Sequence, residues 1–82
     1  MEEKQIFDKM VEILKLYTQD AKLLEGATLK THILDDLKVN SARLIDIIIK
    51  CEDVFEITVS DDEADKLSTI GDAVALIQQK LG

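Results

Sequence analysis

Three separated stretches of this 82-residue chain repeat their apolar residues with the period of a helix, and no proline interrupts any of them. In the first, Ile6, Met10, Ile13, Leu14 and Tyr17 recur at spacings of four, three, one and three. In the second, Leu44, Ile47, Ile48, Cys51, Val54 and Phe55 fill a continuous stripe over two heptads. In the third, Ile70, Ala73, Val74, Ile77 and Leu81 do the same. Such stripes must each be buried against another element, so the pattern predicts a helical bundle with these residues as its core. Helix starts are marked as well. Ser60-Asp61-Asp62-Glu63 reads as a capping box that opens a short helix through about Lys66. Thr69-Ile70-Gly71-Asp72 is a weaker version before the last helix, and either Asn40 or Ser41 can cap the second.

The remainder is connection. About twenty residues, Thr18 to Val39, lack a clear period. Unstructured loops of that length are uncommon and often functional. Leu23, Leu24, Leu29, Ile33, Leu34 and Leu37 are expected to pin this one to the core, with a short helical turn near Leu29–Ile33. Ile57-Thr58-Val59 alternates like a strand but has no partner, so it reads as an extended connector. The expectation is a single all-α domain over residues 1–82: three longer helices, one short one, and a long loop between the first and second.

Seventeen acidic residues against ten Lys plus Arg give a net charge of −7. That balance argues against nucleic acid and anionic membrane as partners, and favours proteins with basic patches. The apolar runs are too short for a membrane span, and the charged start is unlike a secretory signal, so a cytoplasmic monomer is expected. An enzyme reading finds little support. His32 is the only histidine, Cys51 lies on the apolar stripe, and no cluster has the spacing of metal ligands. No catalytic and no metal-binding residue is assigned. The run Asp61-Asp62-Glu63-Asp65 reads as a solvated helix start favoured by the helix dipole.

The second helix carries more than a core needs. Ala42, Ile45 and Ile49 lie off its apolar stripe, beside Asp46, Glu52, Asp53 and Glu56, which reads as a docking surface. Ser41 stands at the start of the same helix, where a phosphate ester would meet free backbone N–H groups and the positive end of the dipole.

These residues carry a resemblance. Asp36-Leu37-Lys38-Val39-Asn40-Ser41-Ala42 resembles the Asp-Leu-Gly-x-Asp-Ser-Leu segment of acyl carrier proteins. Cys51-Glu52-Asp53-Val54-Phe55-Glu56-Ile57 resembles the family's Leu-Glu-Glu-x-Phe-x-Ile, and the stretch from Ser60 to Ala73 resembles its Pro-Asp-Glu-Glu-Ala-Glu-Lys-Ile-x-Thr-Val-x-Asp-Ala. The match runs without gaps from Asp36 to about Ile77, while the first helix agrees only in pattern.

The resemblance implies the family's four-helix bundle and a non-catalytic role. A 4′-phosphopantetheine arm would be attached to Ser41 from coenzyme A by a phosphopantetheinyl transferase. The arm's thiol would hold an acyl or aminoacyl group for loading and processing enzymes with basic docking patches. Ala42, Ile45, Asp46, Ile49, Glu52 and Asp53 fall at the family's partner-contact positions. Ile47, Ile48, Cys51, Phe55, Leu67 and Ala73 fall where the family lines a cargo pocket. Four residues depart from the family pattern: Lys38 replaces a glycine, Asn40 an aspartate and Ala42 a leucine, and Arg43 adds a positive charge. Of these, Asn40 and Ala42 point to a specialised carrier. The alternatives are the housekeeping carrier of fatty-acid synthesis and an interaction module that keeps the fold unmodified.

Overall fold

A computed structural model describes residues 2–18 and 20–81. Its helices are α1 (Glu3–Tyr17), α2 (Ser41–Phe55), α3 (Asp61–Asp65) and α4 (Ile70–Leu81), with a 3₁₀ turn at Ala21–Leu24. The fold is all-α, and α1 packs against both α2 and α4. No strand forms among the described residues; one isolated antiparallel bridge joins His32 to Thr69.

The helical stripes form one core. Ile6, Met10, Ile13 and Leu14 of α1 meet Leu44, Ile47, Ile48, Cys51 and Phe55 of α2 and Ile70, Ala73, Val74 and Ile77 of α4 in a single cluster. Three expected core residues fall outside it. Val54 is 40% exposed because it sits at the edge of the α2 stripe, and a domain this small covers only the centre of such a stripe. Leu81 is 39% exposed because α4 buries nothing after Ile77. Tyr17, at the end of α1, is half-buried against the cluster.

The caps explain where helices begin. Ser60 Oγ accepts from Glu63 N (3.2 Å) while Glu63 Oε1 accepts from Ser60 N (3.0 Å), so the capping box of α3 forms in full. The helix stops at Asp65, with Lys66 as its cap. The motif before α4 is stronger than the sequence indicates. Thr69 Oγ1 accepts from Asp72 N (3.1 Å), and one Asp72 carboxylate oxygen accepts from both Thr69 N (3.0 Å) and Ser68 N (3.1 Å). The shorter aspartate does the work of the usual glutamate because it collects two adjacent N–H groups.

The long loop is anchored rather than loose. Leu24, Ile33, Leu37 and Val39 are buried, whereas Leu29 and Leu34 lie at the surface and Leu23 is half-buried. The regular helical turn falls at Ala21–Leu24, where Asp20 caps Lys22 N (2.9 Å), and not at Leu29–Ile33. Around the latter stretch there are only isolated turns, Thr31 N donating to Thr28 O (3.1 Å) and Asp36 N to His32 O (2.9 Å), and other backbone groups pair with the start of α4. Gly71 N donates to Leu29 O (2.8 Å), Ile70 N to Thr31 O (2.9 Å) and Ile33 N to Ser68 O (3.0 Å), which straps the loop to the start of α4. Thr18 Oγ1 donates to Leu37 O (3.1 Å), fixing the loop's end beside the end of α1. Residues 57–59 form neither helix nor strand. Ile57 and Val59 pack on the core, and Glu52 Oε2 holds Val59 N at 3.1 Å.

Candidate functional site

The approach to α2 is set by buried and turned backbone. Leu37 and Val39 are buried on either side of Lys38, which takes a left-handed conformation at φ 55°. That conformation favours glycine, the residue common at this position in the resembling carriers. Asn40 follows in extended geometry and caps the helix: its Oδ1 accepts from Arg43 N at 2.8 Å, and its carbonyl accepts from Leu44 N at 3.0 Å. Of the two possible caps, the structure uses Asn40. Ser41 is therefore the first helical residue, exposed and spared capping.

The chain's three serines differ in this respect. The Ser60 hydroxyl is engaged as the α3 cap, and the Ser68 hydroxyl lies 3.2 Å from His32 Nδ1. Ser41 stands where the first-turn N–H groups, its own and that of Ala42, have no intrahelical acceptor. Those groups and the dipole favour an anion there. The donor set fits a phosphate ester on Ser41 Oγ.

A surface cleft between α2 and α3 begins at Ser41. Ile45, Ile48, Ala64 and Leu67 are among its walls. Leu44, Ile48 and Leu67 also line an interior cavity of about 20 Å³, so one set of side chains separates the cleft from the core. Of the six residues expected around a cargo pocket, Ile47, Ile48, Cys51, Leu67 and Ala73 line this cavity. Phe55 is buried in the core but is not among its lining residues. Met10, Ile33, Val59, Leu76 and Ile77 complete the walls; Met10, Ile33 and Val59 reach it from three other segments, a convergence that no local pattern reveals. The volume holds about one water, so a larger guest requires the walls to part. The five-residue α3 buries none of its own residues and is the element with least to lose by moving.

Along the outer face of α2, Ile45 and Ile49 are 51% and 57% exposed, with Ala42, Asp46 and Asp53 also exposed. Glu52 differs from these. It is half-buried, and one of its carboxylate oxygens is spent on Val59 N. Tyr17, Asp46, Ile49, Lys50 and Asp53 surround a shallow hollow where α2 passes the end of α1.

Three titratable groups away from Ser41 are shifted by their surroundings. Burial, and then the negative charge of Glu52, pushes the Cys51 thiol up to about 12, and its Sγ lies 3.3 Å from Met10 Sδ. Glu63 is lowered to about 2, first by Lys80, whose Nζ lies 2.9 Å from Oε1, and then by Ser60 N–H. Asp72 is lowered chiefly by the Thr69 N–H. No group of three or more His, Cys, Asp or Glu among the described residues is arranged to hold a metal. None of their helices is long and apolar enough to cross a membrane.

The chain is similar to known proteins in sequence and in fold. A family described as "Phosphopantetheine attachment site" matches residues 5–77. The chain is 34% identical to the acyl carrier protein of Lactobacillus acidophilus over 82 residues, covering the whole of both chains. It is 36% identical to that of Thermotoga maritima over 81 residues, covering 96% of this chain and 95% of the relative. The solved structure of the acyl carrier protein from Enterococcus faecalis superposes with a TM-score of 0.79 at 26% identity, over 98% of this chain and 99% of that one. The first helix, which the sequence relates to that family only by pattern, and the long first loop fall within these matches. The chain belongs to the acyl carrier family, the carrier proteins that bear a covalent 4′-phosphopantetheine.

Proposed function

We propose that Ser41 bears the arm and that the chain is a specialised carrier, presenting an acyl or aminoacyl cargo to the enzymes of a dedicated pathway. One observation carries the attachment residue: Ser41 is the serine whose hydroxyl is exposed at a helix start while a neighbour, Asn40, supplies the cap. In loading by a phosphopantetheinyl transferase, Ser41 Oγ forms a bond to phosphorus as the phosphoanhydride of coenzyme A breaks. Adenosine bisphosphate leaves, and the hydroxyl proton passes to the transferase or to water. Ser41 N–H and Ala42 N–H would then hold the ester oxygens. When bound, the arm supplies a thiol that carries cargo as a thioester. The carrier catalyses nothing itself.

The cargo's apolar part is sheltered by the cavity wall of Ile47, Ile48, Cys51, Leu67 and Ala73, reached past Leu67 as α3 moves. Ala42, Ile45, Ile49, Asp46 and Asp53 form the face that loading and processing enzymes meet, with Glu52 at its edge holding the connector. The specialised reading is supported by Lys38, Asn40, Ala42 and Arg43, which replace or add to the family's residues within five positions of one another around Ser41. An acidic monomer in the cytoplasm fits this role.

Intact-mass measurement on the purified chain, with and without a transferase and coenzyme A, tests the reading. One arm added to the wild type and none to Ser41→Ala supports it. No addition to the wild type by any transferase of the host would make the chain an unmodified module.

A further inference from the structure

The face around Ile45 and Ile49 is not uniformly acidic. Arg43, Asp46, Lys50 and Asp53 follow one another at spacings of three, four and three, which places them in one strip along α2 with alternating sign. Asp46, Lys50 and Asp53 share the hollow beside Ile49 and Tyr17. Arg43, Asp46 and Asp53 are exposed and Lys50 half-exposed. The one ion pair within 4 Å among the described residues is Lys80 with Glu63, so none of the four pairs with an opposite charge among those residues.

An enzyme that works at the far end of the arm can keep clear of the first turn of α2. The enzyme that attaches the arm cannot, because its reacting atom is Ser41 Oγ. Arg43 is two residues further on, about 3 Å along the axis and about 200° around it, so its long side chain stands in the same exposed first turn and within reach of a partner that closes over that turn. The strip from Arg43 to Asp53 spans about 15 Å, roughly twice the screening length at physiological salt. A partner therefore senses its ends separately. The net charge of −7 guides approach from a distance, and the local pattern decides the docked register.

Resting on the assignment of Ser41 as the attachment residue, we propose that the transferase loading this chain reads the alternating strip, presenting carboxylates opposite Arg43 and Lys50 as well as cations opposite Asp46 and Asp53. The pattern is a specificity device, since a uniformly basic docking patch would meet two like charges in it.

The sign of a charge reversal separates the two kinds of partner surface. The probe is the host transferase that loads the wild-type apo chain, and the readout is the second-order loading rate at low carrier concentration, followed by intact mass at low and high salt. Arg43→Glu and Lys50→Glu should each slow loading by roughly three- to tenfold at low salt and converge on wild type at high salt. Arg43→Gln and Lys50→Gln should shift it the same way by less, which covers the case of a Glu variant whose melting curve shows that it has unfolded. A uniformly basic partner predicts the opposite, faster loading of the Glu variants. Normal loading of the wild type with unchanged or faster loading of the folded variants overturns the strip alone. No loading of the wild type overturns the attachment residue, and the strip with it.

Discussion

Replacing Gly71 by alanine should loosen the strap between the long loop and α4. A Cβ at this position would lie 2.6 Å from Leu29 O, well inside the 3.4 Å at which ordinary contact begins, and 3.3 Å from Leu29 Cβ, just inside it. The nearer atom is backbone, so a rotamer change cannot relieve it. The loop must retreat, which stretches the 2.8 Å bond from Gly71 N to Leu29 O and disturbs its neighbours at Thr31 and Ile33. Overpacking of this kind costs about 1–3 kcal/mol, and each weakened backbone bond adds about 0.5–1.5 kcal/mol. Alanine returns about 0.5–1 kcal/mol through helix propensity. The expected net loss is about 2 kcal/mol out of the roughly 4–12 kcal/mol available to a domain of this length. It should appear as a fall in melting temperature of roughly 8–16 °C, measured by circular dichroism and checked by urea titration. Gly26→Ala is the control, because a Cβ there meets nothing within 4 Å; it should be neutral or slightly stabilising. If Gly71→Ala melts with Gly26→Ala, the strap does not hold the loop.

Three further outcomes follow from the core and its charges. Phe55→Ala should cost roughly 3–5 kcal/mol by thermal unfolding, since Phe55 is 5% exposed and is one of the five α2 residues buried in the core. Glu63 has a folded pKa of about 2 against an ordinary 4.5, so its contribution to stability is fully present above about 4.5 and is lost as pH falls through about 2. Glu63→Gln should therefore flatten the stability-against-pH curve between those values and leave it unchanged in shape near neutrality. Cys51, its thiol pushed up to about 12 and buried, should resist alkylation at pH 8 in the native protein and react at once in urea; fast native labelling would mean that the α2 seam opens readily.

How far the sequence foretold these features depended on how local their causes are. The three long helices were legible because their apolar periods and caps lie within single segments, as in Ser60 with Glu63. Val54 and Leu81 misled because periodicity marks a direction on a helix and not the extent of the neighbour that covers it. The loop was hardest. Leu29 and Leu34 are as apolar as Leu24 and Leu37, and what separates them is a hydrogen-bonded bridge to residues 68–71, nearly forty positions away. The exposed face of α2 could be read from Ile45 and Ile49 alone. The division of labour between Asn40 and Ser41 could not, because either residue is a competent cap and only backbone geometry decides between them. Glu52 looked like its acidic neighbours until its contact with Val59 N turned it toward the connector.

That division of labour is the central claim, and fragmentation mass spectrometry of the loaded chain tests it most directly. After exposure to transferase and coenzyme A, the protein is digested and the residue bearing the arm is located by sequencing the modified peptide. The predicted result is a single arm on Ser41, the serine that Asn40 leaves uncommitted. An arm found on Ser60 or Ser68, whose hydroxyls are engaged by Glu63 and His32, would contradict the account, as would a chain that carries none.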